Sequence, residues 1–476
     1  MIQFWRAITV EPVSFLYVLA IFAEYTALQE LIFTSVCLNI HNNSTDDNSS
    51  FSTDVLHCNK HASMPDDLQR DITRIVSTKM KYYMIVMGIC AVVGKLVSRL
   101  SNYAEIDYFK IFFVKATLFI GSWSDTLGRR IPMRIPSALG IVSQALFIAA
   151  AYKKSSLHFV EVIVYIAAIF NGLSGGVSNL VATCFGYISD LTDNSTRTKR
   201  IVLVESMFFI GGFCGYNLAG VLLTYIIPLK YEFIFILCLL IHISILFYIE
   251  LGLKDTRTLE SIQDTTEHTF SKLFSFSHVK RMFSTAFRRR DSLKTKIISE
   301  LLACAIISTL ATNIQTTLTY LFVKKPPLSW QSSTYSLYSG LNFLCSGMSL
   351  AFLLPVLVQK LPKFKDTFVG AIGFLSKSAG LILFGFATKP TLVFMCIPLF
   401  IFSEYTMPSI RSMLSKLVEH DERGKILAFV ATIQNLITLV GGYVFYTLFD
   451  ATVNWFPGIS FVAVGITQAL AVIILL

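Results

Sequence analysis

The sequence is poor in charged residues, which separates it at once from ordinary soluble proteins. Only 15% of its 476 residues are Asp, Glu, Lys or Arg, whereas 54% are hydrophobic, and soluble domains typically carry about 25% charged residues. Apolar runs of roughly 20 residues, the length that crosses a bilayer, recur along the chain. We therefore expect an all-α polytopic membrane protein, because helices satisfy their own backbone hydrogen bonds within lipid.

The sequence also lacks the motifs of several catalytic and energy-coupling classes. It has no phosphate-binding loop of the form G-x-x-x-x-G-K-[ST], which argues against a nucleotide-driven pump. Its nine cysteines form no CxxC pair and no Cys/His cluster with metal-ligand spacing. No nucleophile and base stand at a recognisable spacing either. We expect a protein that is not an enzyme and that uses no cofactor and no metal.

What the chain does have is a series of twelve long apolar segments. The polar interval 252–294 separates six of them from the other six, which is similar to the organisation of the major facilitator fold. We expect six-helix bundles at 1–251 and 295–476, joined by a basic cytoplasmic linker at 252–294. The predicted segments are 12–38, 80–120, 131–152, 159–189, 200–227, 230–251, 295–322, 333–358, 367–387, 391–417, 425–449 and 458–476.

The distribution of basic residues predicts the orientation. Alternate loops, including those with Arg129 and Arg130 and with Lys199 and Arg200, are rich in Lys and Arg, which marks them as cytoplasmic. Both termini are then cytoplasmic. The net charge of +10 fits contacts with anionic lipid, so we expect no nucleic-acid binding. We expect the plasma membrane rather than an endosome or lysosome, and the sequence predicts no oligomeric state.

The predicted first loop, 39–79, carries signs of an extracellular segment. It contains three N-x-S/T acceptor sites for glycosylation, at Asn42, Asn43 and Asn48. Cys37 and Cys58 lie in or near the same loop. These two cysteines are a candidate disulfide if the loop faces the oxidising side.

The second predicted segment, 80–120, is about twice the length of one spanning helix. If it formed two spans, the positive-inside pattern would invert from that point onward. One helix with an insertion near 95–115 preserves the pattern. The insertion is either a retained intron in the gene sequence or a genuine amphipathic addition, and sequencing of the transcript distinguishes the two.

The decapeptide GSWSDTLGRR at 121–130 is typical of the loop between the second and third spans of major facilitators. Asp125 can cap nearby backbone N–H groups and pair with arginine, and Gly128 permits a tight turn. Together Gly121, Asp125, Gly128, Arg129 and Arg130 predict a latch for the inner gate. The alternative is an anchor at the membrane surface with no mechanistic role.

Six further segments resemble the proton-coupled folate transporter family of solute carriers. These are VEPVSFLY (10–17), ISDLTDNSTRTKR (188–200), LVESMFFIGG (203–212), PPLSW (326–330), PSIRSMLSKLV (408–418) and DATVNW (450–455). They are spread over both halves, and the resemblance covers essentially the whole chain apart from 95–115. The resemblance implies uptake of a small organic anion together with protons.

Charged residues inside the spans are the candidate functional groups. The resemblance identifies Glu205 as the proton-coupling residue, and burial favours the protonated form of such a group. Arg411 is either a ligand for the anionic substrate or part of an inner gate with Asp190, while a salt bridge between Glu205 and Arg411 is the structural alternative. Glu24 and Glu404 are expected to face a cavity because lipid-facing carboxylates are costly.

Two departures from the family pattern bear on the substrate. Folate carriers have a histidine in the span that here reads IISTLATNIQTTL, where Thr312 or Asn313 stands near that place, and a cysteine where PPLSW has Ser329. Both differences argue against folate itself. The alternatives are a muropeptide or cyclic-dinucleotide carrier of the same family, or a receptor that keeps the fold without transport.

Overall fold

The computed structural model describes residues 9–44, 66–93, 129–192, 194–225, 230–254, 288, 292–356, 366–419 and 422–476, and every regular element in these ranges is helical. They form fourteen α-helices: α1 (Glu11–Ser44), α2 (Asp66–Val93), α3 (Arg130–Tyr152), α4 (Leu157–Ser174), α5 (Gly176–Leu191), α6 (Asn194–Tyr225), α7 (Lys230–Gly252), α8 (Ser292–Lys324), α9 (Ser332–Met348), α10 (Asp366–Gly385), α11 (Pro390–Phe400), α12 (Thr406–Leu417), α13 (Arg423–Thr452) and α14 (Ile459–Leu475). A π-helical turn at Ser349–Leu353 follows α9, and a 3-10 turn at Ser403–Tyr405 separates α11 from α12.

These helices account for the twelve predicted spans. Within the described ranges, ten helical stretches are long and apolar enough to cross a bilayer, with α4 and α5 counted as one and α11 and α12 as another. The remaining two are α14, which is apolar but has 17 residues, and α2. The prediction of an all-α, twelve-span membrane protein is confirmed.

The first loop begins later and ends earlier than the sequence predicts. α1 continues to Ser44, and α2 already begins at Asp66. The early turns of α2 are too polar to register as an apolar run, but one face of them is buried and packs against α4. The buried residues Gln69, Ile72, Thr73, Val76, Ser77 and Met80 recur every three to four positions, as one stripe of a helix does.

Two predicted continuous segments are interrupted. The segment 159–189 breaks at Gly175, whose φ of 70° favours glycine and redirects the chain into α5. The segment 391–417 breaks between Phe400 and Thr406, just before Pro408, because proline lacks the N–H that would bond to the Glu404 carbonyl and its ring crowds that carbonyl. Irregular backbone at membrane depth is tolerated where it is buried in protein or lines a cavity.

The chain divides into two compact units. The first consists of Met1–Phe274 and Trp330–Gly340, and the second of Ser275–Ser329 and Leu341–Leu476. The first unit therefore contains α1 to α7, and the second contains α8 and α10 to α14. Each unit has its own apolar core, with Tyr17, Tyr187 and Ile245 in the first and Phe374, Ile410 and Phe429 in the second.

Candidate functional site

Arg129, at the end of the GSWSDTLGRR motif, forms a bidentate ion pair with Asp190. Its Nε lies 2.7 Å from Asp190 Oδ2 and its terminal nitrogen 3.3 Å from Oδ1. Asp190 belongs to the last turn of α5 and Arg129 directly precedes α3, so the pair joins these two helices. The arginine crosses α5 at Gly186, where a Cβ atom would lie 2.8 Å from its other terminal nitrogen. The motif residues Gly121, Asp125 and Gly128, like the insertion at 95–115, lie outside the described residues.

Arg130 and Arg134 hold the start of α3 against the end of α7. Arg130 donates hydrogen bonds to the Glu250 carbonyl oxygen at 2.7 Å and to its Oε2 at 3.0 Å. A terminal nitrogen of Arg134 lies 3.0 Å from Oε1 of the same carboxylate. The two arginines that flank the start of the helix, Arg129 and Arg130, therefore have different partners on different helices.

A further ion pair links α1 to α6. Arg200 Nε donates to Glu11 Oε1 at 2.9 Å, and a terminal nitrogen donates to Thr9 Oγ1 at 2.9 Å. Because consecutive spans alternate in direction, the starts of α1, α3 and α6 and the ends of α5 and α7 lie on one side of the unit. That is the side the sequence predicts to be cytoplasmic.

Glu24 lies in a buried polar cluster in the first unit. Its side chain is buried, and it accepts hydrogen bonds from Gln144 Nε2 at 2.5 Å and Asn171 Nδ2 at 3.1 Å. Asn171 Nδ2 also lies 3.2 Å from the Tyr83 hydroxyl. The cluster joins α1, α2, α3 and α4, and no ion pair in the described part of the chain involves Glu24.

Glu404 lies in a separate polar cluster in the second unit. Lys377 Nζ is 3.2 Å from Glu404 Oε1 and donates to Thr312 Oγ1 at 2.6 Å. Lys377 belongs to α10, Thr312 to α8, and Glu404 to the 3-10 turn before α12. Thr312 is one of the two residues that stand near the place of the folate-carrier histidine, so this span still supplies a polar contact there.

The other two candidates are Arg411 of the second unit and Glu205 of the first. Arg411 donates to Gln434 Oε1 at 3.1 Å, which joins α12 to α13. Glu205 lies on α6 and is partly buried. Asp190, the predicted partner of Arg411, accepts hydrogen bonds from Arg129 within the first unit, and the pairings predicted for Arg411 stay predictions.

The sequence alone does not indicate the partners of these residues. Glu11, Arg200 and Glu250 lie at helix ends, where charge is common and gives no signal by itself. Lys377 did leave a signal, because it stands in GFLSKSAG in the middle of an apolar segment. A cation there must face the protein interior or a polar cavity.

Only some of the cysteines and glycosylation sites predicted for the extracellular side belong to the described residues. Cys37 is disulfide-bonded, while Cys58 lies outside the described residues, so their pairing stays a prediction. Asn42 and Asn43 belong to the last turn of α1, and Asn48 lies outside the described residues. Glycosylation at these three sites therefore also stays a prediction.

The fold, with charged pairs at the helix ends, is that of a polytopic helical membrane protein. The profile of the Major Facilitator Superfamily matches residues 108–442. The chain therefore belongs to the Major Facilitator Superfamily and is a membrane transporter of that family.

Curated relatives bear out the resemblance to the folate transporter family. The chain is 27% identical to the proton-coupled folate transporter of Bos taurus over 382 residues, which are 78% of this chain and 76% of that protein. It is 24% identical to the lysosomal proton-coupled steroid conjugate and bile acid symporter SLC46A3 of Gallus gallus over 463 residues, which are 96% of this chain and 90% of that protein. It is also 23% identical to the probable peptidoglycan muropeptide transporter SLC46 of Drosophila melanogaster over 352 residues, which are 72% of this chain and 66% of that protein.

Solved structures share the fold. The crystal structure of the human organic anion transporter MFSD10 (TETRAN) superposes with a TM-score of 0.61 at 16% identity and covers 98% of this chain and 99% of that one. At that identity the likeness concerns the fold alone.

Proposed function

We propose that this protein is a secondary active transporter that moves a small organic anion together with protons by alternating access. The observation that carries the proposal is the buried Glu24 carboxyl group, which is bound by two amides and has no cation partner in the described residues. Burial disfavours its charge while the amide donors stabilise it, a balance that suits a group which gains and loses protons. The bovine and Gallus gallus relatives, both described as proton-coupled, support the same proposal.

The charged residues have distinct roles in this proposal. Glu205 is the coupling carboxylate by its place in the LVES segment, and Glu24 is a second proton-binding group. Arg411 serves the anionic substrate, since a guanidinium binds carboxylates through paired hydrogen bonds. Arg129 and Asp190 form part of the latch at the inner gate.

The substrate is an organic anion rather than folate in particular. The relatives carry folate, steroid conjugates and bile acids, and probably muropeptides, and this chain lacks the histidine of the folate carriers in α8. A receptor without transport remains the competing function, and it predicts no uptake of any of these solutes.

Uptake by proteoliposomes tests the proposal. Proteoliposomes that contain the purified protein are supplied with labelled folate, a steroid sulfate, a bile acid, a muropeptide or a cyclic dinucleotide at acidic and at neutral external pH. We expect acid-stimulated, concentrative uptake of at least one anion, which Glu205→Gln and Glu24→Gln should abolish while Glu419→Gln, at an exposed site, should not. Absence of acid-stimulated uptake for the whole panel would reject the proposal.

The cellular membrane is part of the same proposal. A proton-driven importer works wherever the side that supplies the anion is acidic, which holds for an acidic cell surface and for the lysosome named in the Gallus gallus relative. We propose the plasma membrane with cytoplasmic termini. Imaging of a tagged chain against markers of the cell surface and the lysosome decides between the two.

A further inference from the structure

A cationic side chain is enclosed within the second unit, inside a membrane span. Lys377 lies on α10, and its side chain is 1% exposed. Its ammonium group contacts Thr312 Oγ1 at 2.6 Å and Glu404 Oε1 at 3.2 Å. An ionisable residue within a span is costly, and its presence marks a functional site more often than a structural one.

The carboxylate that faces this lysine is much less enclosed. The Glu404 side chain is 30% exposed, against 1% for Lys377. Glu404 Oε1 also accepts a hydrogen bond from Ser403 Oγ at 3.3 Å. The ion pair therefore has one open side, and a solute that reached the carboxylate would find the ammonium group directly behind it.

Glu404 lies on the interruption between α11 and α12. The 3-10 turn Ser403–Tyr405 carries it, and α10 approaches this turn so closely that a Cβ atom at Gly373 would lie 2.9 Å from the Thr406 nitrogen. Substrates and coupling ions of secondary transporters bind at interrupted spans. A buried cation, an open carboxylate and an interrupted span thus coincide.

The surroundings of the pair are hydroxyl groups rather than further charges. Ser308 of α8 shares a 2.8 Å hydrogen bond with Thr406, next to Thr312. The other charged groups of α10 and α12 are engaged elsewhere, since Asp366 binds Lys416 and Arg411 binds Gln434. Among the described residues, Lys377 has its ion pair with Glu404 alone.

We propose that Lys377 binds the anionic group of the substrate, a carboxylate or a sulfate, and that Glu404 takes up a co-transported proton as this happens. In the empty state the ammonium of Lys377 faces the Glu404 carboxylate. In the loaded state the substrate oxyanion occupies that place, and a proton from the acidic side bonds to a Glu404 oxygen. The inference rests on proton-coupled anion transport. It adds Glu404 to the proton-binding groups Glu205 and Glu24, and Lys377 to Arg411 as a cation for the substrate.

Charge balance is the reason for the coupling. Two anions on one enclosed ammonium group would leave a net negative charge in a poorly solvated place, which is costly. In the empty state the ammonium and the Glu404 carboxylate give a net charge of zero, and in the loaded state the proton on Glu404 lets the ammonium and the substrate anion do the same. The anion and the proton therefore raise each other's affinity.

Binding to purified protein tests the inference, with folic acid, a steroid sulfate and a bile acid as probes at acidic and neutral pH. Lys377→Gln should weaken binding about tenfold or more, and Lys377→Arg should restore most of it. Glu404→Gln imitates the protonated acid, so it should bind at neutral pH as tightly as the wild type does at acidic pH. Lys389→Gln, which removes an exposed cation at the start of α11, should leave binding unchanged.

Two results would overturn the inference: unchanged affinity in Lys377→Gln, or an unchanged pH dependence in Glu404→Gln. The double variant Lys377→Gln/Glu404→Gln removes both charges together, so it should melt near the wild type and still bind poorly. A double variant that binds as the wild type does contradicts the inference. If the wild type neither binds these probes nor takes up any solute of the uptake panel, the proposed function fails and this inference fails with it. An active wild type whose Lys377 variants bind as tightly as it does rejects the inference alone.

Discussion

At the scale of single residues, the ion pairs of the first unit differ in how far their carboxylates are buried. The Glu11 side chain is 3% exposed beside Arg200, whereas Asp190 is 31% exposed beside Arg129. Exposed pairs typically contribute about 0–1 kcal/mol, because water screens the charges in both states. Removal of the cation from a buried pair costs more, since it leaves an uncompensated carboxylate.

The pair between Glu11 and Arg200 should therefore dominate the stability of this end of the unit. We expect Arg200→Met to lower the free energy of unfolding by about 3 kcal/mol and Arg129→Met to lower it by about 1 kcal/mol or less. Thermal unfolding of the purified variants in detergent measures the difference. Glu11→Gln added to Arg200→Met should recover part of the loss, and equal losses in the two single variants would contradict the argument.

At the scale of elements, the approach of α6 to α1 depends on glycine. A Cβ atom at Gly211 would lie 2.6 Å from the Phe15 carbonyl oxygen, and one at Gly215 would clash with the Leu19 carbonyl group. Backbone atoms cannot move aside as flexible side chains do. The two helices can pack this closely because both positions lack a Cβ.

Gly215→Ala should therefore force the two helices apart. We expect a loss of about 1–3 kcal/mol in stability, the usual cost of overpacking, and a lower melting temperature. Gly252→Ala is the matched control, because its Cβ would come no closer than 3.4 Å to the Tyr248 ring. If the two variants have the same melting temperature, the close contact between α1 and α6 is not what limits stability.

Element boundaries show how far sequence patterns reach. The apolar runs predicted most spans, but α2 starts with a polar stretch whose buried face appears only as a repeat of three to four residues. The interruption between α11 and α12 lies within one turn before Pro408, which is visible in the sequence. That it lies beside α10 and brings Glu404 to Lys377 was not visible, because this depends on how distant helices pack.

At the scale of the whole molecule, the alternating direction of the spans predicts which loops share a side. Lys254 follows α7, and Lys153 lies in the turn between α3 and α4. With cytoplasmic termini, Lys254 faces the cytoplasm and Lys153 the opposite side. Asn48 would lie on the same side as Lys153.

Labelling in sealed microsomes with the cytoplasmic face outward tests this topology in any compartment. Lys254→Cys should react with an impermeant maleimide, whereas Lys153→Cys should react only after detergent is added, with the unsubstituted protein as background. Glycosidase digestion should reduce the apparent mass, and Asn48→Gln should diminish that shift. The reverse labelling pattern would invert the predicted orientation.

The sequence by itself determined the class of this protein, its twelve spans and its resemblance to proton-coupled carriers. Apolar length and local motifs carry that information, because a bilayer selects helices of a given length whatever they contact. Only the tertiary structure decided that Arg129 binds Asp190, that Arg200 binds Glu11, and that Lys377 is enclosed beside Glu404. Those pairs join residues of different helices, and which charges meet depends on packing that no local pattern records.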